Sequence, residues 1–250
     1  MLSSTGPRER ILVIGTWGAG KSYCAVDLAQ SPRRNPETHI QVIDTTFEAE
    51  RNFIGCEVDI ATVESWDDYM KAIRKFRATA KPQDWLVIDR GDAVWDAAQS
   101  GYTEKAHGTS IDEWFIGYRK EHESGNAFAG DYGIHWGAIK RMYGAFMSEM
   151  MKYPGNVLVT AKAETVTHPN SQGRGGDPEP IRQEYGKFGV KPAGEKNLGF
   201  MFHTVLLLAE RKPEQWVFTT IRDRGREQQK QKEMTGFVVS YLVGVAGWKL

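Results

Sequence analysis

The sequence predicts an α/β fold with a mainly parallel central sheet flanked by helices. Short apolar runs typical of strands alternate along the chain with stretches of helical periodicity. One of these runs, at 84–89, is too continuously apolar for a half-exposed edge strand. The last strand-like runs follow one another without an intervening helix, so we expect antiparallel strands at the C-terminal edge of the sheet.

The first half of the chain alternates strands and helices in this prediction. The apolar runs predict strands at 10–15, 39–44, 56–60 and 84–89. A helix at 21–30 follows the first strand and ends before a segment that contains two prolines. Ser65 is predicted to cap a helix that reaches about residue 79, because its large apolar residues recur at helical spacing.

The second half is predicted to be mostly helical before strands return. Helices are expected near 91–106, 111–122 and 134–152, and strands at 156–161, 202–209 and 215–221, with a last strand or hairpin at 236–245. Two segments are predicted as loop insertions, near 123–133 and near 163–197. Both are rich in glycine, and the second is too long for an ordinary connection.

Composition limits the class of protein. The chain of 250 residues is long enough for one large domain, predicted over 10–250 after a flexible N-terminus at 1–9. Acidic and basic residues balance at 32 each, so the net charge neither demands nucleic acid nor excludes a local basic surface. No apolar run approaches the roughly 20 residues that cross a bilayer, and no signal sequence is recognised. Cys24 and Cys56 are interpreted as reduced thiols, so a cytoplasmic location without membrane contact is expected.

A glycine-rich stretch directly follows the first predicted strand. Gly15, Gly20, Lys21 and Ser22 match the pattern G-x-x-x-x-G-K-(S/T), with a strand before it and a helix after it. Glycines let backbone N–H groups turn toward phosphates without Cβ clashes, and the helix start adds its positive dipole end. We predict an ATP site in which Lys21 reaches the β- and γ-phosphates and Ser22 ligates Mg²⁺; an incidental glycine-rich turn is the alternative. The predicted nucleotide-binding residues are Gly15, Thr16, Trp17, Gly18, Ala19, Gly20, Lys21, Ser22 and Tyr23.

Carboxylates after two of the strands are candidates for the chemistry. Asp89 ends a strand at the position where α/β sheets place their ligands, so we predict that it holds Mg²⁺ together with Ser22; an N-cap role is the alternative. Arg90 follows where many P-loop ATPases carry a glutamate, so the base must come from elsewhere. Among Asp44, Glu48 and Glu50 we favour Glu48 as the group that orients the attacking water, against a merely solvated acidic loop.

Six segments together resemble the phage-encoded RecA-like P-loop ATPases. They read ILVIGTWGAGKS, VIDTT, WLVID, NVLVTAKAE, GEKNLGFMFHTVLLL and TTIRDRG, and they span about residues 10–225. The chain is similar in particular to the core-only members that act in single-strand annealing and recombination. The resemblance implies a RecA-like fold, ATP hydrolysis with Mg²⁺, and a homo-oligomeric ring or filament that shares its ATP sites and acts on single-stranded DNA.

The resemblance also implies roles for individual residues. Family members carry an acid where this chain has Thr46, which leaves the identity of the base open. Thr160 and Lys162 match the location of the family's polar sensor. Arg222 and Arg224 match a basic pair that reaches into the ATP site of the neighbouring subunit, with a solvated charged strand end as the alternative.

Both predicted insertions match the family's mobile loops that grip single-stranded DNA. The segment 123–133 carries Phe128 and Tyr132, and the segment 163–197 carries basic residues beside aromatic ones. The predicted DNA-binding residues are Arg174, Arg182, Lys187 and Lys191. Acidic residues nearly cancel the charge of the second segment, so a flexible surface insertion remains the alternative.

Two other functions stay open at this point. A small-molecule kinase, for a nucleoside or nucleotide, is built on the same P-loop scaffold and would use the segment 163–197 as a lid. An assembly protein that uses ATP only to lock its subunits together, with little turnover, is consistent with Thr46 at the position of the family's acid.

Overall fold

The computed structural model describes residues 8–31, 37–114, 116 and 132–248. The strands are β1 (Arg10–Gly15), β2 (Ile40–Asp44), β3 (Asp59–Thr62), β4 (Trp85–Asp89), β5 (Asn156–Thr165), β6 (Val190–Pro192), β7 (Thr204–Lys212), β8 (Gln215–Asp223) and β9 (Glu233–Thr235). The helices are α1 (Lys21–Gln30), α2 (Ala49–Asn52), α3 (Trp66–Thr79), α4 (Gly91–His107), α5 (Tyr132–Met151), α6 (Glu179–Tyr185) and α7 (Val238–Gly244). No helix in these ranges has the length and apolar character needed to span a membrane.

The strands form a sheet in the order β3-β2-β4-β5-β1-β7-β8-β9, with β6 paired to β5 beside this path. Strands β1 to β5 and β7 run parallel, whereas β8 and β9 are antiparallel additions at one edge. The predicted mainly parallel α/β fold with an antiparallel C-terminal edge is therefore confirmed. Strand β5 lies between β1 and β4.

Helices cover both faces of the sheet because the strands are apolar on both sides. Along β1, Leu12 and Ile14 pack into the core under α3, α4 and α5, while Ile11 and Val13 pack into the core under α1 and α7. The carboxyl ends of β1, β2, β4 and β5 consequently meet at one edge of the sheet, where polar residues can be placed side by side.

The predicted last strand or hairpin at 236–245 is wrong, since α7 occupies most of it. Val238, Tyr241 and Leu242 are buried at i, i+3 and i+4 spacing, the spacing of one helix face. The backbone N–H of Val239 donates to Asp27 Oδ2 on α1 at 3.0 Å. Packing against α1 thus prevails over the strand preference of the β-branched residues in this segment.

The predicted long insertion at 163–197 is an ordered substructure. Strand β5 continues to Thr165 and pairs with β6, and α6 lies between the two strands in sequence. Buried Asp177 holds the segment together, because it accepts the Thr167 N–H at 2.7 Å and pairs with Lys191 Nζ at 2.6 Å. These contacts join residues that are distant in sequence, and glycine content alone does not reveal them.

Two further predictions fall partly outside the described residues. Of the predicted loop at 123–133, residues 123–131 lie outside them and residues 132 and 133 begin α5. Residues 111–114 and 116 of the predicted helix at 111–122 are helical. Of the predicted flexible N-terminus, residues 8 and 9 are described, and Glu9 is buried with its carboxylate paired to Arg226, so it is not loose.

Candidate functional site

The glycine-rich loop joins the carboxyl end of β1 to the start of α1. Gly18 and Gly20 have φ angles of 74° and 82°, which glycine adopts without a Cβ penalty. A Cβ on Gly15 would lie 2.7 Å from the Leu208 carbonyl oxygen. No side chain in the described part of the chain caps α1, so its first N–H groups remain available to an anion.

Lys21 begins α1 and folds back over the loop. Its Nζ donates to the Thr16 carbonyl oxygen at 2.7 Å. Burial lowers the pKa of Lys21, the Asp89 carboxylate opposes this shift, and the nearby Arg90 guanidinium adds to it. The lysine is therefore a partly desolvated cation, which gains from an anionic ligand because its present partner is a neutral carbonyl.

Asp89 lies at the end of β4 beside two hydroxyl groups. Asp89 is 5% exposed, and its carboxyl accepts a hydrogen bond from the Thr160 hydroxyl on β5. Burial raises the pKa of Asp89, and the hydroxyl groups of Thr160 and of Ser22 on α1 oppose the rise. Three residues predicted from separate segments thus meet here, at the junction of β1, β4 and β5.

The donor set at this junction fits a magnesium ion only if a ligand brings oxygens of its own. Within the described ranges, no three histidine, cysteine or acidic side chains are grouped so as to hold a metal. Mg²⁺ usually keeps several waters and binds through one or two carboxylates plus phosphate oxygens. Ser22 and Asp89 supply a hydroxyl and a carboxylate to such a site.

The acids that follow β2 have separate positions. Asp44 is buried and accepts the N–H groups of Thr46 and Ala49 at 2.9 and 3.1 Å, so its carboxylate holds the turn into α2. The Thr46 hydroxyl also donates to Asp44, at 3.0 Å. Glu48 is exposed and lines the cavity beside the phosphate loop, whereas Asp44 and Glu50 do not line it. Glu48 is therefore the best placed of the three predicted bases.

A cleft of about 520 Å³ opens above the loop, a volume suited to a small-molecule ligand. Its lining residues come from the phosphate loop and from the ends of the neighbouring strands: Trp17, Gly18, Gly20, Lys21, Ser22, Tyr23, Thr45, Thr46, Glu48, Arg90 and Lys162. The charged ones are Lys21, Arg90 and Lys162 against Glu48. The excess of positive charge favours a polyanionic ligand.

Aromatic side chains flank one side of this cleft. Trp17 in the phosphate loop is 86% exposed, and Tyr23 is about half exposed. The Tyr23 ring lies 4.7 Å from the Phe237 ring, centroid to centroid. Exposed rings beside a phosphate site offer a surface on which a nucleobase stacks.

The two predicted sensor residues both lie on β5 at this edge. Thr160 is completely buried and faces Asp89, whereas Lys162 is exposed and lines the cleft. The Lys162 backbone N–H donates to Asp92 Oδ1 at 3.1 Å. Sequence reasoning did not assign Asp92, although its position three residues after Asp89 at the start of α4 places it near this edge.

The predicted arginine pair lies toward the other edge of the sheet. Strand β8 is antiparallel to β7, so Arg222 pairs with Val205, which itself pairs with Leu12 in β1. Arg222 is 7% exposed and its Nε donates to Glu184 at 2.9 Å. An ion pair inside the same subunit therefore holds Arg222, so it is not the solvated strand end of the alternative interpretation, and its reach into a neighbour's ATP site stays a prediction. Arg224 is exposed and donates to the Phe200 carbonyl at 3.0 Å.

Of the four predicted DNA-binding residues, two form ion pairs within the subunit and two are exposed. Lys191 lies in ion pairs with Asp177 and Glu164, and Arg182 pairs with Glu179. These two cations are engaged within the subunit. Arg174 and Lys187 are exposed.

The comparison with protein families now identifies the chain. Residues 8–220 match a family model described as an AAA domain, AAA_24. The chain belongs to this AAA domain family. The family is one of P-loop ATPases, a class that uses nucleotide and usually Mg²⁺.

No curated protein matches the sequence of this AAA domain. Among solved structures, it is similar to a KaiC-like protein from the hyperthermophilic archaea Pyrococcus horikoshii OT3, at 13% sequence identity and a TM-score of 0.48. That match covers 91% of this chain and 84% of the other.

Proposed function

We propose that this AAA domain binds ATP with Mg²⁺ and hydrolyses it, as a homo-oligomer that acts on single-stranded DNA in phage recombination or annealing. The observation that carries the nucleotide part is the phosphate loop with its left-handed glycines, which lies beside buried Asp89 in a cleft with excess positive charge. The DNA and oligomer parts rest on the sequence resemblance and on the positions of exposed basic residues.

The residues of the site would divide the reaction among them. Lys21 exchanges the Thr16 carbonyl for β- and γ-phosphate oxygens, and the N–H groups at the start of α1 hold the phosphate chain. Mg²⁺, when bound, offsets the charge that develops on the phosphate oxygens. Thr160 fixes the orientation of Asp89, and Glu48 orients a water for in-line attack on the γ-phosphate.

Glu48→Gln tests the assignment of the base. We expect ATP affinity to stay within about twofold of wild type and the rate of phosphate release to fall about 100-fold, a typical loss for a general base. Nucleotide binding by calorimetry and steady-state phosphate release measure the two quantities. Glu50→Gln is the matched control, since it changes an exposed acid two residues away. Equal rates for the two variants would exclude Glu48 as the base.

Arg224→Ala tests whether subunits share their ATP sites. The exposed guanidinium of Arg224 lies away from the phosphate loop of its own subunit, so we expect ATP binding to be retained and turnover to fall about 1000-fold, as when an arginine finger is lost. The matched control is Arg211→Ala, which removes an exposed arginine paired with Glu233 in β9. If Arg224→Ala hydrolyses ATP at the wild-type rate, Arg224 of one subunit does not take part in the ATP site of the next.

The proposed action on DNA rests on the ordered segment 163–197, which begins at the end of β5 near the cleft. Strand β5 passes from Thr160 beside Asp89 directly into this substructure, which presents Arg174 and Lys187 to solvent. Lys187 lies over the ring of Phe188, and a cation beside an aromatic ring suits the backbone and bases of a single strand. One continuous strand would thus connect DNA contact to the nucleotide site.

ATP turnover and particle mass, each measured with and without single-stranded DNA, test this proposal. We expect single-stranded DNA to raise turnover and to increase the mass of the assembly. Phosphate transfer from ATP to a nucleoside or nucleotide would instead identify a kinase. ATP-dependent assembly with negligible turnover under all conditions would identify a protein that uses ATP only to lock its subunits.

A further inference from the structure

Arg90 lines the nucleotide cleft although the proposed mechanism does not use it. Its guanidinium forms two hydrogen bonds to the Asp92 carboxylate, from Nε to Oδ1 at 3.3 Å and from NH2 to Oδ2 at 2.5 Å. The Arg90 side chain is 24% exposed, whereas that of Asp92 is 6% exposed. The ion pair therefore presents the arginine to the cleft and keeps the carboxylate behind it.

This pair is fixed to the elements that carry the rest of the site. The Arg90 backbone N–H donates to the Thr45 hydroxyl after β2 at 2.8 Å, and Asp92 accepts the Lys162 N–H of β5 at 3.1 Å. Arg90 and Lys21 line the same cleft, so the guanidinium lies on the side of the site that a bound phosphate chain would occupy.

Arg90 also keeps hydrogen-bonding capacity toward the cleft. A guanidinium has five N–H donors, and the bonds to Asp92 use two of them. Within the described part of the chain, no acceptor other than Asp92 is found for the remaining donors of Arg90. A planar guanidinium with open donors is well suited to phosphate oxygens.

We propose that Arg90 is a second phosphate-binding cation of the subunit's own site, held in place by Asp92, and that it contacts the terminal phosphate. This inference rests on the proposed binding of ATP in the same cleft. The β-phosphate is already served by Lys21 and by the start of α1. Arg90 follows Asp89 at the end of β4, which β5 separates from β1 and its phosphate loop, so we expect the third phosphate rather than the second to reach it. Arg90 therefore distinguishes a nucleoside triphosphate from a diphosphate.

The ratio of affinities for the two nucleotides tests this role. Arg90→Gln removes the charge, and Arg90→Lys keeps it without the planar fork. Calorimetry with a non-hydrolysable ATP analogue and with ADP, both with Mg²⁺, measures the two affinities. For Arg90→Gln we expect analogue affinity to fall by about tenfold or more, the loss of a hydrogen bond to a charged group, with ADP affinity within about twofold of wild type. The affinity of Arg90→Lys for the ATP analogue should lie between those of wild type and Arg90→Gln.

The control and the contrary outcomes separate this role from a structural one. Arg77→Gln removes an arginine from another ion pair, with Glu149, and should leave both affinities unchanged. If Arg90 only stabilises the start of α4, its loss will change the affinities for the ATP analogue and for ADP by the same factor, or will change neither of them. Either result overturns the inference. Should Arg90→Gln fail to fold, the affinity ratio of Arg90→Lys decides by the same criterion.

Asp92→Asn tests the positioning half of the proposal. The amide has the size of the carboxylate and still accepts the Lys162 N–H, but it no longer neutralises the guanidinium or fixes it through two bonds. We expect a selective loss of triphosphate affinity, with no further loss when Arg90→Gln is added. Additive losses would contradict positioning through Asp92. A wild-type protein that binds neither nucleotide would overturn the proposed function itself, whereas an unchanged ratio in Arg90→Gln overturns the role of Arg90 alone.

Discussion

Lys21→Ala is expected to lose ATP binding by about 100-fold or more and to have no measurable turnover. The substitution removes the partly buried cation at the start of α1 that is poised over the phosphate loop, and hydrogen bonds to charged groups in such sites contribute about 1.5–3 kcal/mol each. Calorimetry with an ATP analogue and a phosphate-release assay measure the two losses.

A second lysine supplies the control for this experiment. Lys71 is exposed on α3, away from the cleft, and Lys71→Ala should match wild type in both assays. A Lys21→Ala protein that hydrolyses ATP at about a tenth of the wild-type rate or faster would contradict the role of the loop, because loss of one preorganised cation costs far more than tenfold at such sites.

Asp89→Asn is expected to reduce turnover by about 100-fold or more, because the amide is a poorer partner for Mg²⁺ than the carboxylate. Binding of ATP without Mg²⁺ should change little. Turnover measured over a range of Mg²⁺ concentrations separates the two effects, since the variant should need more Mg²⁺ than wild type. If Asp89→Asn hydrolyses ATP at the wild-type rate at low Mg²⁺, Asp89 is not the acid that holds the metal.

Asp89→Asn, although expected to lower turnover, is expected to keep or raise the melting temperature of the protein without nucleotide. Burial raises the pKa of Asp89 in the folded protein above the ordinary aspartate value. At neutral pH the buried charged carboxylate therefore lowers the free energy of unfolding. This destabilisation disappears as the pH falls to the ordinary aspartate pKa, where the carboxyl is protonated in the folded protein. Asp89→Asn without nucleotide should therefore melt at or above the wild-type temperature at pH 7. The difference should narrow as the pH falls toward 4. A lower melting temperature at pH 7 would mean that the carboxylate stabilises the empty protein.

Local patterns predicted much of the fold and of the phosphate site. The run that forms β1 is buried on both faces, and the loop after it needs glycine at 15 and 20 for steric reasons that the motif already encodes. Asp89 ends β4, and Thr160 lies in the neighbouring parallel strand β5, one residue past the pair Ile88 and Val159, so their meeting follows from strand order and register. These features depend on residues close together in sequence or on one topological rule.

The features that the sequence did not predict depended on distant partners. Arg222 is buried because Glu184, 38 positions earlier, lies beside it. The segment at 163–197 is ordered because Asp177 and Lys191 pair across α6. The helix α7 forms because α1 offers it an apolar surface and Asp27 accepts one of its N–H groups. Neither composition nor local propensity contains this information, because each partner comes from a different element.

A crystal structure with Mg²⁺ and a non-hydrolysable ATP analogue tests the central claim most directly. The account predicts that the triphosphate lies against residues 15–22, that Lys21 Nζ has exchanged the Thr16 carbonyl for phosphate oxygens, and that the metal ion lies between Ser22 and Asp89. A triphosphate bound at any other place on the protein, with the Lys21 to Thr16 hydrogen bond intact, would contradict it.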